Sequence, residues 1–443
     1  MSTHIIELND RNLRLRSQDD ILVQSPGFAN IAEKKPRFGE EARRIARLHP
    51  RQTFTQFWSQ LSLDPLANAN DHFRHHADLA FAHLNDIFND VASQQGKKDE
   101  VIFAVPSNYN RNQLSILLGL VQSCEFDAVG LVDLPLLVAG NADSREMIVY
   151  LDIQLHQSVL TTFTAGDGKV TRNKVVQIPG TGLLALHDAW VNMVTDEFIK
   201  QSRFDPQHNA ETEQYVYNQL EEWIAKAQRD NEILMEINNK GSVFQARVNR
   251  GHFEQRTRNI FGRIKTELEG LAGGQYALHL PDTQAGLPGI DLYLNNLQAV
   301  NESMLMENCF RHMDHIKGKP GSLSFVTSLP TSTTPASKGA TASESHAPSH
   351  VLINNKAYAL PAFLAYGPVN GSAAGAGAIQ VAAAGGSGEI RLSLSDQGAV
   401  LDYQGVGSIE LNGSKAAARE TLKLGDVISL PGSNTTLRLI KVT

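Results

Sequence analysis

Two groups of histidine and cysteine residues have a spacing that suits metal ligands on a helix. Residues three or four positions apart share one helix face, and such a group binds zinc when a fourth ligand is supplied. The two groups are His72, His75 and His76, and Cys309, His312 and His315. Histidines on the surface of an amphipathic helix are far commoner than zinc ligands, so we predict no metal site from either group.

The composition limits the class of protein. A chain of 443 residues can form two or three domains, and its 42% hydrophobic and 20% charged residues are typical of a globular protein. The net charge of −7 gives no reason to expect nucleic-acid binding. Two distant cysteines, Cys124 and Cys309, indicate a reducing compartment. Because neither a signal peptide nor an apolar run of the ~18–20 residues that span a membrane is visible, we predict a cytoplasmic protein.

The stretch 101–163 predicts a βα unit followed by a hairpin, around which the chain is organised. An apolar strand at 101–105 precedes a helix at 111–121, for which Asn110 and Gln113 form a capping box. A second apolar run ends in Val-Asp-Leu-Pro at 132–135, and strands follow at 147–153 and 158–163.

The flanking segments show the same alternation of strands and helices. The predicted elements are an N-terminal hairpin of strands 4–8 and 21–24 joined by a polar turn at 9–20, a helix at 71–91, a strand at 170–178, a helix at 215–227, strands at 233–237 and 243–248, a helix capped by Asn249, a strand at 276–280 and a helix at 301–316. We place the tryptophans Trp58, Trp190 and Trp223 in the core or at subdomain interfaces.

The composition changes twice near the C-terminus. Residues 318–349 are rich in Ser, Thr, Pro, Ala and Gly, which predicts a flexible linker. From 350 to 443, short β-type runs alternate with Gly and Asn turns, as in a small β-sandwich. Within this part, the Gly/Ala/Ser-rich segment 369–388 is expected to be a loop.

The order of elements resembles a known family. The layout of 101–163, with Val-Pro-x-x-Tyr-Asn at 105–110, is similar to the ATPase domain shared by actin and the Hsp70 chaperones. Asn249-Arg-Gly-His-Phe-Glu254, after a helix and a β pair, resembles the start of a helix in the outer subdomain of Hsp70 proteins. We therefore expect an α/β body of Hsp70 type at 1–317, with the two-lobed, ribonuclease H-like fold of actin-like ATPases and an outer subdomain at about 195–265.

The resemblance assigns five residues to a nucleotide site. Glu7 and Asp152 match the acids that begin the two phosphate-binding hairpins of the family, and Asp133 matches the acid of its "Asn-Glu-Pro" motif. Gly180 and Gly182 are the glycines left near a phosphate-type turn. If nucleotide binds, the resemblance implies that these residues hold it: Glu7, Asp133, Asp152, Gly180 and Gly182.

Other positions of the family's site are replaced. The glycine and threonines of the first hairpin correspond to Asn9, Asp10 and Arg11, and the three glycines of the second correspond to Gln154, Leu155 and His156. Trp58 stands in the place of the catalytic lysine, and both glycines of the adenosine motif are absent near Pro281. Since phosphoryl transfer depends on positioning and on neutralising charge, these losses predict a pseudo-ATPase without a cofactor.

The C-terminal part resembles forkhead-associated (FHA) domains over its last fifty residues. Leu411-Asn-Gly413 and Leu422-x-Leu-Gly-Asp426-x-Ile428 are similar to the closing strands of that family. Its phosphothreonine-binding Gly-Arg and Ser-x-x-His patterns are missing, and Arg391 is the nearby arginine, which we interpret as a solvent-facing strand residue. We therefore expect an FHA-like sandwich at 350–443 that gives no sign of phosphopeptide binding.

Three functions compete. The first is a scaffold or adaptor that assembles protein partners through its two-lobed body and its FHA-like domain. A bacterial origin fits this interpretation. The second is an ATP-binding protein with divergent phosphate loops, weak or regulated ATPase activity, and ATP and magnesium as cofactors. The third is an actin-like filament, against which the Hsp70-type outer subdomain argues. We favour the scaffold.

Overall fold

A computed structural model describes most of the chain, and its residues fall into two compact units, Met1–Pro335 and Ala336–Thr443. The described ranges in the first unit are 3–18, 20–89, 99–139, 147–166, 168–230, 232–273, 276–318 and 323–330. Those in the second unit are 350–353, 356–359, 362–368, 377–382, 390–395, 398–403, 409–412, 414–416, 419–423, 425–429 and 436–440. No described helix combines the length and the apolar character that a membrane crossing requires.

The first unit is a mixed α/β structure. Its elements in chain order are β1 (Thr3–Glu7), β2 (Leu13–Arg16), β3 (Ile21–Ser25), β4 (Ala29–Asn30), β5 (Arg37–Phe38), α1 (Gly39–Arg43), β6 (Thr53–Phe54), α2 (His76–Asn89), β7 (Glu100–Val105), α3 (Arg111–Val121), β8 (Asp127–Asp133), α4 (Leu136–Ala139), β9 (Met147–Ile153), β10 (Gln157–Gly166), β11 (Lys169–Pro179), α5 (Leu183–Ser202), α6 (Ala210–Arg229), β12 (Ile233–Asn239), β13 (Ser242–Val248), α7 (Arg250–Arg256), α8 (Arg258–Ala272), β14 (Tyr276–Pro281), α9 (Asp282–Ala285), α10 (Ile290–Tyr293), β15 (Leu297–Val300), α11 (Glu302–Arg311), α12 (Met313–Ile316), β16 (Phe325–Val326) and β17 (Ser328–Pro330).

Two sheets with the same strand order form two lobes. In the first lobe, β1, β2 and β3 are antiparallel neighbours, while β7 and then β8 lie parallel on the other side of β1. In the second lobe, β9, β10 and β11 are antiparallel, and β14 and then β15 lie parallel on the other side of β9. Numbered in chain order, the first five strands of each sheet therefore have the order 3-2-1-4-5. A sixth strand, β16, lies beside β8 in the first sheet, and β17 lies beside β11 in the second.

An apolar core joins the two lobes. It contains Ile102 and Val132 from the first sheet, Tyr150 and Phe163 from the second, and Cys309 from α11, all buried. A further core lies within each lobe, and the three tryptophans are buried as predicted: Trp58 in the first lobe, and Trp190 and Trp223 in the second. Both cysteines are buried, free thiols, and burial raises the pKa of the Cys309 thiol to about 12.

Capping residues in the sequence predicted the start of two helices correctly. The helix predicted at 111–121 is α3, and Asn110 and Gln113 form its capping box. Asn249 caps α7, where its side chain accepts a hydrogen bond from the His252 amide. The predicted helix at 301–316 is divided at His312 into α11 and α12.

The N-terminal hairpin differs from the prediction, because the presumed turn at 9–20 contains a strand. β2 (Leu-Arg-Leu-Arg) lies between the two predicted strands, and all four of its side chains are buried. Its arginines, Arg14 and Arg16, form ion pairs with the buried carboxylate of Glu7. Alternating arginines look like a solvent-exposed turn in the sequence, whereas here a carboxylate on the neighbouring strand allows them to be buried.

The body extends beyond the predicted boundary at 317. Residues 325–326 pair with β8 of the first lobe, and residues 328–330 pair with β11 of the second, so the start of the predicted linker 318–349 belongs to both sheets. Leu329 is 1% exposed and belongs to the core shared by the two lobes. This buried side chain holds residues 328–330 against the second sheet. Residues 331–349 lie outside the described ranges.

The described residues of the second unit form only β-strands and short connections between them. Its strands are β18 (His350–Ile353), β19 (Lys356–Ala359), β20 (Ala362–Pro368), β21 (Gly377–Ala382), β22 (Ile390–Ser395), β23 (Gly398–Tyr403), β24 (Glu410–Leu411), β25 (Ser414–Lys415), β26 (Arg419–Leu422), β27 (Val427–Ser429) and β28 (Thr436–Ile440). They form sheets of six and five strands around a core that includes Val351, Leu401 and Leu437. The segment expected as a loop, 369–388, contains β21, which pairs with β20.

Candidate functional site between the two lobes

Two tight turns from the centres of the two sheets meet between the lobes. The first turn (residues 8–12) joins β1 to β2, and the second turn (residues 154–156) joins β9 to β10. The Asn9 side-chain amide donates to Asp152 Oδ1 at 2.7 Å, and the Leu155 backbone amide donates to Asp10 Oδ1 at 2.9 Å. These two bonds connect positions more than 140 residues apart, so the turns bind each other directly.

The Asp152 carboxyl group is surrounded by amide donors. Besides Asn9, the Gln154 Nε2 group donates to Asp152 Oδ2 at 3.0 Å and also bonds Asn108 Oδ1 at 3.0 Å. The residue is 2% exposed, and burial is the largest influence on its carboxyl group, raising the pKa above the ordinary value against these hydrogen bonds. Asp152 is therefore held in place by protein amides.

Asp10 is the second buried acid of this contact. It is 5% exposed, its Oδ1 accepts the Leu155 amide, and its Oδ2 has no hydrogen-bond partner among the described residues. Burial, with a smaller contribution from Asp152, raises the pKa of Asp10 to about 7, although hydrogen bonds from the Leu155 and Arg11 amides oppose this. The Asp10 carboxyl group thus accepts the hydrogen bond that the Leu155 amide of the second turn could otherwise donate to a ligand.

Backbone amides at the start of α5, and in the loop between β11 and α5, donate to carbonyl oxygens of the second turn. The Leu183 and Leu184 amides, at the start of α5, donate to the carbonyl oxygens of Gln154 and Leu155 at 2.8 and 3.0 Å. The Gly180 amide donates to the His156 carbonyl at 2.9 Å. These amides at a helix N-terminus, which would otherwise suit an anion, are already satisfied.

The two glycines predicted for the nucleotide site have structural roles in this loop. Gly180 has φ +69°, which favours glycine, and Arg263 donates to the carbonyl beside it, at Pro179, at 2.7 Å. Gly182 is the N-cap of α5, and a Cβ there would meet the backbone of the second turn, with the Leu155 carbonyl oxygen at 2.5 Å. Both glycines therefore lie against the second turn rather than around an open space.

Glu7 and Asp133 form ion pairs away from the direct contact of the turns. Glu7, on β1, lies 3.4 Å from Arg14 and 3.3 Å from Arg16. Asp133 ends β8 of the first lobe, and it accepts from Ser107 at 2.8 Å and from Arg172, on β11 of the second lobe, at 2.6 Å. Burial outweighs these partners and raises the pKa of Asp133 to about 6. Neither acid is a simple exposed turn residue.

Trp58 fills the core at the position where the resemblance expects a lysine. Its Nε1 donates to His83 Nδ1 at 3.0 Å, and His83 Nε2 lies 2.7 Å from the Ser25 hydroxyl. Since Nδ1 accepts from the indole, Nε2 carries the ring proton and donates to Ser25. Burial lowers the pKa of His83 to about 3, so this histidine stays neutral and cannot serve Ser25 as a base.

A cavity of about 670 Å³ lies between the lobes beside the turns. Apolar residues of its wall include Phe28, Leu155 and Trp190, and polar ones include Arg11 and Gln228. It is large enough for a small organic molecule. The first turn contributes Arg11 and Asn12 to the wall of this cavity.

Charged side chains connect the lobes along the cavity wall. Arg43 of α1 lies 2.5 Å from Glu221 of α6, and Arg47 lies 3.0 Å from Asp188 of α5. The Gln214 side chain accepts from the Arg47 amide at 2.7 Å and donates to the Arg43 carbonyl at 3.2 Å. These contacts add to the turns and the shared core in fixing the lobes.

The described residues contain no group of three or more His, Cys, Asp or Glu side chains that could hold a metal ion. In the first predicted group, His75 pairs with Asp78 at 3.2 Å. In the second, Cys309 is buried in the core shared by the lobes, and the rings of His312 and His315 are 6.3 Å apart.

The structure brings only part of the predicted site together. Asp152 and Gly182 lie at the second turn, whereas Glu7 and Asp133 have arginine partners of their own. Three amide side chains that hold the turns were not predicted from the sequence: those of Asn9, Gln154 and Gln284. The Gln284 side chain accepts a hydrogen bond from the Ile153 amide at 3.0 Å. Their amide side chains at turn positions were the available signal, but nothing local identified their partners.

Comparison with known proteins gives no family assignment. No protein-family model matches the chain, and no curated protein matches it.

Proposed function

We propose that this chain is a non-catalytic scaffold or adaptor, with a two-lobed body of the actin and Hsp70 type and an FHA-like C-terminal unit. The repeated 3-2-1-4-5 strand order supports such a body, because it occurs in both lobes and brings the β1–β2 and β9–β10 turns together. The two sheets of the C-terminal unit support the FHA-like assignment.

One observation carries the proposal that no triphosphate is used. The Leu155 backbone amide, which a phosphate-binding turn would offer to its ligand, binds the Asp10 carboxyl group of the first turn. The amides of Leu183 and Leu184, at the start of α5, bond the carbonyl oxygens of the second turn. A triphosphate would have to displace these bonds and would add negative charge beside Asp10 and Asp152, so we propose that no cofactor is needed.

The contacts that connect the two lobes support a scaffolding role. An apolar core, the bonded turns and ion pairs such as Arg172 with Asp133 all connect the lobes. A rigid frame holds partners without paying for its own ordering when they bind. We propose that protein partners bind the body and the C-terminal unit in the cytoplasm, for which the two buried, unbridged cysteines are suited.

We expect millimolar Mg-ATP to leave the melting temperature of the full chain unchanged. A ligand that binds only the folded state raises that temperature by mass action, and the closed turns offer no phosphate cradle. Differential scanning fluorimetry with Mg-ATP, Mg-ADP and, as a control for ionic effects, magnesium with inorganic phosphate measures this. A rise specific to the nucleotides, accompanied by phosphate release, would contradict the proposal.

The cavity favours a second candidate function, the binding of ATP with divergent phosphate loops. Its volume of about 670 Å³ and its mixed apolar and polar wall suit a small organic molecule. ATP and magnesium would then be the cofactors, and Asp152 with Gly182 would lie nearest the phosphates. The fluorimetry experiment separates the two candidates, since only this one predicts a nucleotide-specific shift.

The adaptor role predicts that partners divide between the two units. We expect affinity capture with the full chain to retain partners that are lost when residues 350–443 are removed, together with others that the body alone retains. The truncated chain must first show a cooperative melting transition, and Mg-ATP must release neither class. Release of every partner by Mg-ATP would instead indicate a nucleotide-driven cycle.

A further inference from the structure

The contact between the two turns contains two buried carboxyl groups, those of Asp10 and Asp152. We call the bonds among Asn9, Asp10, Asp152 and the Leu155 amide the interlobe clasp. Asn9 and Gln154 donate to Asp152, whereas Asp10 receives the Leu155 amide on one oxygen and nothing on the other within the described chain. An ionised Asp10 would therefore place an incompletely solvated charge near a second acid.

The charged and titratable groups that face Asp10 come from three elements. Asp152 approaches from the end of β9, and its proximity disfavours a charge on Asp10. Arg11, on the same turn, favours that charge, but its guanidinium donates to Thr283 at 2.7 Å. Tyr109, before α3, is buried, and both its burial and the nearby Asp10 raise the pKa of its hydroxyl. Arg11 is thus the one cationic group among these neighbours.

We propose that the clasp is proton-dependent: protonation of Asp10 holds the two turns together, and its ionisation loosens the contact and widens the cleft beside the cavity. A neutral carboxyl group keeps the bond from the Leu155 amide and places no second charge beside Asp152. A carboxylate at Asp10 repels Asp152 across the contact. This inference concerns the clasp alone and holds whether or not nucleotide binds.

The direction of the pH effect follows from the folded and unfolded forms. Asp10 has a pKa of about 7 in the folded chain and an ordinary value of 3.8 when unfolded. A group that binds its proton more tightly when folded contributes stability at low pH, and this contribution is lost as the pH rises through its folded pKa. The stability that the clasp contributes should therefore be lost progressively between about pH 4 and pH 7, while the ionisation of Asp10 in the folded chain is centred near pH 7.

The experiment measures the distance between the lobes in the full chain. Spin labels at L63C in the first lobe and V243C in the second use exposed positions, while the native cysteines are buried. We expect a narrow distance distribution at pH 5.5 and a broader or longer one at pH 8. The variant D10N, which imitates the protonated acid, should keep the narrow distribution at pH 8, whereas D71N, at an exposed site, should behave as the parent.

Thermal melting provides a second measurement that does not depend on the labels. Between pH 5.5 and 8 the parent should lose several degrees of melting temperature more than D10N does. A D10N chain that melts with the same pH dependence as the parent would overturn the proposal. So would a parent whose inter-lobe distances stay the same at both pH values, even if D10N failed to fold.

Discussion

We expect Gly182→Ala to lower the free energy of unfolding by about 3 kcal/mol or more, as overpacking against immobile groups does. The added Cβ would lie 2.5 Å from the Leu155 carbonyl oxygen and 2.5 Å from the His156 carbonyl carbon, and it would also meet the Gln157 amide nitrogen. All three are backbone atoms of the second turn and β10. No side-chain rotation relieves such a clash, so either the turn or the start of α5 must move.

The consequences of that movement extend to the clasp. The amides of Leu183 and Leu184 bond the carbonyls of Gln154 and Leu155, so moving α5 away from the turn breaks these bonds. The Leu155 amide also holds Asp10, which links the strain to the contact between the lobes. Denaturant unfolding monitored by circular dichroism measures the loss.

Gly262→Ala is the matched control. Gly262 lies within α8, where a Cβ would meet no atom within 4 Å. Alanine is the better helix former there, so the control should gain roughly 0.5–1 kcal/mol. Equal behaviour of the two variants would mean that Gly182 is not packed against the second turn.

Sequence reasoning located most elements of the first unit because their signals are local. The boundaries of α3 and α7 follow from the caps Asn110 and Asn249, whose partners lie three residues away. The strands β9 and β14 are apolar enough to be recognised alone. Where the determining partner lies outside the local pattern, the prediction failed: β2 is buried because Arg14 and Arg16 pair with Glu7 on the neighbouring strand, and β17 is ordered because Leu329 enters the shared core.

The candidate site was likewise predictable only where its signals are local. The resemblance pointed to Asp152 and to the turn containing Asp10, and the structure places both between the lobes. The sequence could not tell that Asp10 would bind the second turn, since the bond from the Leu155 amide joins residues 145 positions apart. The same holds for Asp133, whose partner Arg172 belongs to the other lobe. Long-range pairing, which no local pattern encodes, decides whether an acid in this cleft faces a ligand or the protein.

The ion pair of Asp133 and Arg172 offers the second large effect. Asp133 is fully buried, whereas the Arg172 side chain is 22% exposed, and the two bond at 2.6 Å across the lobes. We expect Arg172→Met at pH 8 to cost on the order of 3 kcal/mol of unfolding free energy, because it leaves a buried carboxylate without its cation. Methionine keeps an apolar side chain near the Phe325 ring, over which the guanidinium lies at 5.1 Å.

The cost of Arg172→Met should depend on pH in a direction that packing alone does not produce. The pKa of Asp133 is already raised to about 6 with Arg172 present, and removing the cation raises it further. At pH 5 the variant can protonate Asp133 and avoid a buried charge. At pH 8 it must either bury an ionised Asp133 or hold a proton against the pH, and both cost free energy. The loss of unfolding free energy is therefore larger at pH 8. Urea unfolding at the two pH values gives both losses. The double variant Arg172→Met/Asp133→Asn, which keeps an acceptor for Ser107 but has no charge, should recover most of the stability at pH 8. A loss of equal size at both pH values, unrelieved in the double variant, would show that Arg172 acts through its hydrogen bond to the Ser107 carbonyl, at 3.1 Å, and its contact with Phe325 instead of through its charge.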